Sequence, residues 1–200
     1  GIGYIIDSGL ELNVNYNPFR DSELIEKKFI SRAQAKQRWG RVGRRDEGRI
    51  YCLYTNQEYI DFDIYPEPEI TIKNIEGLLL NLSQIAEPEV GRKKININDV
   101  VNILEDFITP PDSIFIETAI DNIKLIGCLD ESQNFTNLGI TIGKLMLPPR
   151  FGRILLESIV YNEKLMGIKL SAILTAIGSI EGIIGFSKMD ESNGFVNNTS

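Results

Sequence analysis

One segment, with the sequence SRAQAKQRWGRVGR and beginning at Ser31, constrains the local fold of this 200-residue chain more strongly than any other. Ser31 and Gln34 have the spacing of a capping box, in which each side chain accepts a hydrogen bond from the other residue's backbone N–H. We therefore expect a helix to begin at Ser31. Within that helix Gln37, Arg41 and Arg44 are separated by four and then three residues, which places the three side chains on one face.

The residue types on that face suit a bound phosphate group. An arginine guanidinium makes forked hydrogen bonds to phosphate oxygens. Gly40 and Gly43 each cost a helix about 1 kcal/mol relative to alanine, which is easier to explain if the backbone must approach a ligand closely. The alternative is a solvated basic helix without a ligand. Arg38 lies on another face and is predicted to be structural or a surface charge.

The segment QRWGRVGR resembles motif VI of superfamily 2 helicases. The flanking segments YIIDSGL and GRIYCLYT are similar to the second RecA-like lobe of the DEAH/DExH group. Further along, the segments PEI, TPPD and NFTNLGITIGKLMLPP resemble the winged-helix domain that follows that lobe, and residues 150–180 resemble the start of the helical ratchet domain.

This resemblance implies a fold class of α/β plus mainly α, with a partial RecA-like lobe followed by a winged-helix domain and a helical ratchet segment. The implied domains are the second RecA-like lobe at residues 1–66, the winged helix at 67–148 and the ratchet segment at 149–189. Prolines in the acidic stretch around residue 66 favour the first boundary. The polar composition of residues 190–200 predicts a disordered tail.

An ATP site is also implied by the resemblance. In superfamily 2 helicases ATP lies between two RecA-like lobes, so by resemblance Arg41 and Arg44 are arginine fingers, and Gln37 lies near the γ-phosphate and the attacking water. The same three residues are expected to bind the nucleotide. The implied cofactor is ATP with Mg²⁺, whose protein ligands are expected outside this chain, and the implied partner is the first RecA-like lobe.

Two motifs that such a site requires do not occur in the sequence. There is no GxxxxGK[ST] P-loop, because the nearest match, which begins at Gly139, has its glycines one residue too close and Leu145 where a serine or threonine is needed. The chain has no histidine, so it contains neither a DEAH nor a DExH box. We therefore expect the isolated chain to be inactive.

A hairpin is predicted upstream of the capped helix. Leu12–Tyr16 and Leu24–Ile30 have strand-like patterns on either side of the turn-forming segment NPFRDS. In the helicase family a hairpin at this place lies where the duplex is split, so the resemblance makes Asn17 and Arg20 candidate nucleic-acid contacts at the tip. An ordinary surface hairpin explains the pattern equally well.

Other elements follow from apolar patterning. Tyr4–Ile6 is predicted to be a buried strand, and Gly48–Thr55 a strand after the capped helix. Helical spacing recurs in three segments, residues 75–85, 100–107 and 116–126, and residues 128–135 are predicted to form a wing. Leu170–Ile177 is predicted to be a ratchet helix with an apolar face.

Charge and cysteine content narrow the partners and the compartment. The net charge is −7, yet residues 26–50 carry nine Lys or Arg and three Asp or Glu, a local charge of +6. This asymmetry favours a local anion site over a broad nucleic-acid-coating surface. Cys52 and Cys128 are predicted to be buried free thiols, which favours an intracellular, reducing location such as the cytoplasm, the nucleus or a viral replication site.

Two functional classes remain open. The first is part of an ATP-dependent helicase or translocase that acts on RNA or DNA, with RNA favoured by the resemblance, and with a protein activator left open as a further partner. The second is a non-catalytic, helicase-derived module that binds nucleic acid or protein. No membrane partner is expected, because Lys169 and Glu181 interrupt the apolar run from Ile168 to Phe186 that would otherwise suit a membrane span.

Overall fold

The computed structural model describes residues 2–43 and 47–177. These residues divide into two compact units, one formed by the chain up to Asn74 together with Ile108–Phe115, the other by Ile75–Phe107 and the chain from Ile116 onward. The architecture is mixed α/β in the first unit and helical in most of the second, which confirms the predicted fold class. The assignment of the units to named helicase domains stays a prediction.

The first unit contains four strands and two helices within the described residues. In chain order these are β1 (Tyr4–Asp7), β2 (Leu10–Asn17), β3 (Ser22–Phe29), α1 (Arg32–Trp39), β4 (Arg49–Cys52) and α2 (Asn56–Asp61). A short 3₁₀ helix follows at Glu69–Thr71. The core of the unit lies between α1 and α2, where Ile30, Ala35 and Phe62 are buried.

The predicted hairpin is confirmed. Strands β2 and β3 are antiparallel, from Leu10 opposite Phe29 at the open end to Asn17 opposite Ser22 at the tip. The four-residue connection contains Asp21 at a φ of 46°, a conformation that aspartate tolerates better than most residues. Local alternation and turn chemistry are therefore sufficient to specify this element.

Strand β1 pairs in parallel with β4, from Tyr4 opposite Arg49 to Asp7 opposite Cys52. The prediction that β1 is buried is wrong, because Tyr4 is 69% exposed and Ile6 is 72% exposed. A parallel strand is buried only where both faces of its sheet are covered. Among the described residues β1 and β4 form a two-stranded sheet, and the face that carries Tyr4 and Ile6 is open.

Cys52, the last residue of β4, is exposed on the same small sheet, so the prediction that it is buried is also wrong. Cys128 is buried as predicted, and burial raises the pKa of its thiol to about 11. Both cysteines have apolar neighbours in sequence, but this pattern does not determine whether the segment that carries them is covered by the rest of the fold. Cys128 is covered, and Cys52 is not.

Helix α1 begins as predicted and ends earlier. Ser31 is the N-cap, and both hydrogen bonds of the capping box with Gln34 are present. The helix ends at Trp39 with Gly40 as its C-cap, so the prediction that one continuous helix carries Arg41 is wrong. The backbone N–H groups of Arg41 and Val42 bond three residues back, which tightens the chain into a turn.

Helices dominate the remainder of the described chain. They are α3 (Glu76–Leu82), α4 (Ile97–Glu105), α5 (Ser113–Leu125), α6 (Asn137–Leu145), α7 (Pro149–Val160) and α8 (Lys164–Ile177). The first three correspond to the predicted helical segments. Helix α4 begins three residues earlier than predicted because Asn96 and Asp99 form a capping box there. Helix α8 contains the predicted helix at Leu170–Ile177.

The core of the second unit draws on α3, α4, α5, α6 and α8, whose fully buried side chains are Leu79, Leu80, Ile97, Val100, Leu104, Ile123, Ile142 and Leu174. The predicted wing forms a tight turn with antiparallel bridges between Leu129 and Phe135 and between Asn96 and Asn134. No helix in the described part of the chain combines the length and the hydropathy that a membrane span needs. The end of the predicted ratchet segment and the predicted tail at 190–200 lie outside the described residues.

Candidate functional site

The last turn of α1 and the residues that follow it carry two of the predicted site residues. Gln37 lies in α1, and Arg41 lies two residues beyond its end. Both are exposed. Neither side chain makes a hydrogen bond or ion pair with any residue that the structure describes. Arg44 lies outside the described residues. The described part of the site thus presents one amide and one guanidinium to solvent.

Arg38, between these two residues, has a different environment. Its Nη1 donates to Asp7 Oδ1 at 3.0 Å, and its Nη2 donates to the carbonyl oxygen of Leu10 at 3.1 Å. Both bonds join α1 to the segment that connects β1 with β2. The prediction that Arg38 is structural agrees with these contacts.

Asp7, at the end of β1, is buried and accepts four hydrogen bonds. Its Oδ1 accepts from the backbone N–H of Gly9 at 3.1 Å as well as from Arg38, and its Oδ2 accepts from Trp39 Nε1 at 3.1 Å and from the Tyr54 hydroxyl at 3.0 Å. Burial by itself raises the pKa of this carboxyl, but the bonds from Gly9, Arg38 and Tyr54 outweigh it and lower the pKa below its ordinary value. The carboxylate is therefore charged near neutral pH.

The network around Asp7 was missed by the sequence analysis. The local signal was an aspartate directly after an apolar strand, in YIID, followed by Gly9 at a positive φ of 71°. Trp39 lies 32 residues away and Tyr54 lies 47 residues away, so no local pattern links them to Asp7. Only the fold brings these three side chains together.

An aromatic cluster supports the same end of α1. The rings of Trp39 and Tyr59 are 5.3 Å apart, and those of Tyr54 and Phe62 are 5.1 Å apart. Burial, together with the neighbouring Cys52 thiol and the charge of Asp7, raises the pKa of Tyr54, so its hydroxyl keeps its proton and remains a donor. The cluster and the carboxylate together hold Trp39 by its ring face and by its N–H.

The turn that carries Arg41 is attached to the start of the chain on its other side. Val42 forms a parallel bridge with Ile2. Gly48 packs closely against this turn, because a Cβ at that position would overlap Val42 Cγ1 and lie 3.0 Å from the carbonyl oxygen of Gly3. Gly43 has a φ of 75°, a conformation that glycine adopts without strain. The glycines here serve chain reversal and close packing.

The hairpin tip has an ordered local structure. Asn17 Oδ1 accepts from the backbone N–H groups of Phe19 at 3.0 Å and Arg20 at 3.2 Å, and the Tyr16 hydroxyl donates to Asp21 Oδ1 at 2.9 Å. Asn17 therefore uses its carbonyl oxygen within the turn and keeps only its amide NH₂ group for a ligand. The Arg20 side chain is exposed, and Phe19, which the sequence analysis did not single out, is 84% exposed.

The open end of the hairpin is connected to α1. Gln34 Nε2 donates to Glu11 Oε2 at 2.6 Å, and the backbone N–H of Ile30 donates to the carbonyl oxygen of Gly9 at 2.9 Å. Gln34 thus serves the capping box through its oxygen and the hairpin through its nitrogen. Within residues 2–43 and 47–177, no group of three or more His, Cys, Asp or Glu side chains is placed to hold a metal ion.

Comparison with known proteins yields a consistent set of relatives, although no protein-family model matches the chain. The chain is 32% identical over 161 residues to the ATP-dependent RNA helicase DHX33 of Homo sapiens, covering 79% of this chain and 21% of that protein. It is 31% identical over 178 residues to the probable ATP-dependent RNA helicase DHR1 of Saccharomyces cerevisiae, covering 88% of this chain and 13% of that protein. It is 30% identical over 177 residues to the putative ATP-dependent RNA helicase L540 of Acanthamoeba polyphaga mimivirus.

Solved structures agree on the fold. The Escherichia coli DEAH/RHA helicase HrpB superposes with a TM-score of 0.70 at 22% identity, over 87% of this chain and 21% of that protein. Over most of its length the chain is therefore similar to one segment of the DEAH/DExH-box group of superfamily 2 helicases. It spans less than a quarter of the length of each of these relatives.

Proposed function

We propose that this chain forms one side of the ATP site of a helicase, with Arg41 and Arg44 as arginine fingers and Gln37 close to the attacking water. The observation that carries the proposal is a contrast within α1 and its turn. Gln34, Arg38 and Trp39 are all engaged in internal hydrogen bonds, whereas Gln37 and Arg41 are exposed and engage no described residue.

The chemistry of these two side chains fits the phosphate end of a nucleotide. Phosphoryl transfer depends on positioning and on stabilising the charge of the transferring group, and an arginine finger contributes about 10³ to 10⁵ in rate. A guanidinium has no oxygen to offer Mg²⁺, and a single neutral amide oxygen does not make a magnesium site, so the main ligands for the metal would come from another part of the motor. Bound Mg²⁺·ATP would supply the phosphoryl group and its counter-charge.

The partners follow from the same proposal. Each of the curated relatives described above bears the name of an RNA helicase, which favours RNA over DNA as the nucleic acid. The first RecA-like lobe would supply the P-loop and the acidic box, so the 200-residue chain alone is proposed to be inactive. We further propose that Arg20 and the amide of Asn17 contact nucleic acid at the hairpin tip. The competing function is a non-catalytic module that binds nucleic acid or protein.

Substitution of the two arginines in the full-length protein tests this function. We expect Arg41→Ala and Arg44→Ala each to lower kcat for RNA-stimulated ATP hydrolysis by about 10² or more, with a much smaller change in KM for ATP, because a finger acts on charge that develops in the transition state. Arg41→Lys is not expected to restore the rate, since one ammonium cannot reproduce the forked contact. Gln37→Ala is expected to have an intermediate effect.

Lys36→Ala is the matched control, because Lys36 is an exposed cation on the same helix. Arg38→Ala is unsuitable, since it would leave the buried Asp7 carboxylate without its guanidinium partner. Equal damage from Lys36→Ala and Arg41→Ala, or an unchanged kcat in both arginine variants, would contradict the finger assignment and favour the non-catalytic module.

A further inference from the structure

The turn that carries Arg41 is held at two points. On one side Trp39 donates to Asp7 Oδ2, and on the other side Val42 forms a bridge with Ile2. Both attachments lead to the same short stretch of chain, residues 2–7, which contains β1. The backbone of Arg41 therefore has its position fixed from both sides, although its side chain is exposed.

The first attachment depends on a charged group. Asp7 is 2% exposed, and its carboxylate is surrounded by four donors that belong to the backbone after β1, to α1 and to the segment after β4. A carboxylate has two oxygens with about four acceptor sites and no donor, so it can satisfy all four at once. Among the described residues, no other acidic side chain lies within hydrogen-bond distance of Trp39 Nε1.

We infer that Asp7 is a positioning residue for nucleotide hydrolysis, which acts by fixing Trp39 and Arg38 and through them the turn that presents Arg41. The inference rests on the proposed function of Arg41. Nothing in the geometry places Asp7 at the site surface, so it does not touch the nucleotide. Asp7 fixes the orientation of the turn that follows α1.

The size of the effect follows from how rate depends on position. A displacement of about 1 Å in a catalytic group can cost 10²-fold in rate. In Asp7→Asn an amide NH₂ group, which is a donor, replaces one of the two accepting oxygens. It would face another donor, either Trp39 Nε1 or Arg38 Nη1, so one of those hydrogen bonds would be lost. We expect this variant of the full-length protein to lower kcat by about 10 to 10² fold, with KM for ATP changed by less than about threefold.

Trp39→Phe is the second variant, because it keeps an aromatic ring against Tyr59 while it removes the N–H that meets Asp7, together with part of the ring area. We expect it to lower kcat by about tenfold. Tyr59→Phe is its matched control, since Tyr59 belongs to the same aromatic cluster and its hydroxyl makes no hydrogen bond with a described residue. The control is expected to keep the parent kcat.

A double variant separates this inference from a purely structural role. If Asp7 acts through Arg41, then Asp7→Asn in an Arg41→Ala background should cost no further rate, because the group that it positions is gone. Melting temperatures are measured for each variant, and rates are measured well below them. Should Asp7→Asn fail to fold, Trp39→Phe alone and combined with Arg41→Ala gives the same test.

The outcomes are distinguishable. Unchanged kcat in Trp39→Phe and in folded Asp7→Asn, beside a strong loss in Arg41→Ala, would overturn the inference and leave the proposed function intact. Fully multiplicative losses in the double variant would overturn it as well, since Asp7 would then act independently of Arg41. If Arg41→Ala itself leaves kcat unchanged, the proposed function is contradicted, and the inference about Asp7 is contradicted with it.

Discussion

At the residue scale, the two glycines of α6 that form the nearest match to a P-loop have a packing role. A Cβ on Gly139 in α6 would overlap the carbonyl oxygen of Cys128, and a Cβ on Gly143 would lie 2.6 Å from the carbonyl oxygen of Leu80 in α3. Both glycines are buried. Helix α6 therefore contacts its neighbours with backbone against backbone, which no residue with a side chain permits without a shift.

This packing gives a stability prediction for the 200-residue chain. We expect Gly139→Ala and Gly143→Ala each to lower the free energy of unfolding by about 1–3 kcal/mol, because the added methyl group overpacks a close contact. Gly77→Ala in α3 is the control, since a Cβ there meets nothing within 4 Å. It should raise the free energy of unfolding by up to about 1 kcal/mol through helix propensity.

Urea unfolding followed by circular dichroism measures all three variants under the same conditions. A loss in Gly77→Ala as large as that in Gly143→Ala would show that the close contacts are not what makes glycine necessary in α6. An unchanged stability in both α6 variants would show that α6 and α3 can separate at little cost.

The hairpin of β2 and β3 is the informative unit at the element scale. Its tip is ordered by Asn17 and presents Phe19 and Arg20 to solvent, while its open end bonds to α1 through Glu11 and Gln34. A rigid element with an exposed aromatic residue and a cation at its end suits contact with unpaired bases and phosphates. The connection at Glu11 joins this element to the helix whose end carries the proposed ATP site.

We predict that shortening the tip between Asn17 and Ser22 in the full-length protein impairs strand separation more than ATP hydrolysis. The physical reason is that the tip is part of neither α1 nor its turn, so the proposed nucleotide site is left intact. The measurement is a duplex-unwinding assay beside an RNA-stimulated ATPase assay on the same preparation.

A conservative pair of variants sharpens this prediction. Phe19→Ala removes an exposed ring from the tip, and Leu12→Ala removes an apolar side chain that is 72% exposed and lies away from the tip of the same hairpin. We expect only Phe19→Ala to reduce unwinding selectively. Equal loss of unwinding and ATP hydrolysis in the shortened protein would make the hairpin a structural element, and no change in either activity would remove it from the mechanism.

At the scale of the whole molecule, the described chain forms two units, each with a buried core of its own. Apolar side chains nevertheless remain exposed on several of its elements, as at Ile6 in β1 and Ile168 in α8. Large exposed apolar residues in one region are typical of surfaces that meet other protein. This distribution is compatible with a chain that spans less than a quarter of its helicase relatives.

We predict that the purified 200-residue chain neither hydrolyses ATP nor unwinds a duplex. The reason is that its proposed site supplies only the cationic side of a nucleotide-binding cleft, with no group of metal-binding carboxylates among the described residues. A phosphate-release assay with and without RNA tests this, with Arg41→Ala as the specificity control. RNA-stimulated release that disappears in Arg41→Ala would show that the chain holds a complete site.

The sequence by itself determined the features that depend on neighbours within a few residues. The capping box at Ser31, the hairpin from Leu10 to Phe29 and the helices α3, α4, α5 and α8 follow from hydrogen bonds and apolar spacing that are short in range. The segment QRWGRVGR also pointed to the helicase family of the relatives, because its residue types and spacing resemble motif VI. These predictions required no information about which elements pack against one another.

Tertiary structure decided where α1 ends, which strand faces solvent and which side chains meet at Asp7. The bonds from Trp39 and Tyr54 to Asp7 join residues that lie 32 and 47 positions apart, so their formation depends on β1, α1 and β4 already being in place. The exposure of Tyr4 and Cys52 likewise depends on how many strands lie beside β1 and β4 in the sheet. Burial and long-range hydrogen bonding are properties of the packed chain, and a pattern of neighbouring residues does not contain them.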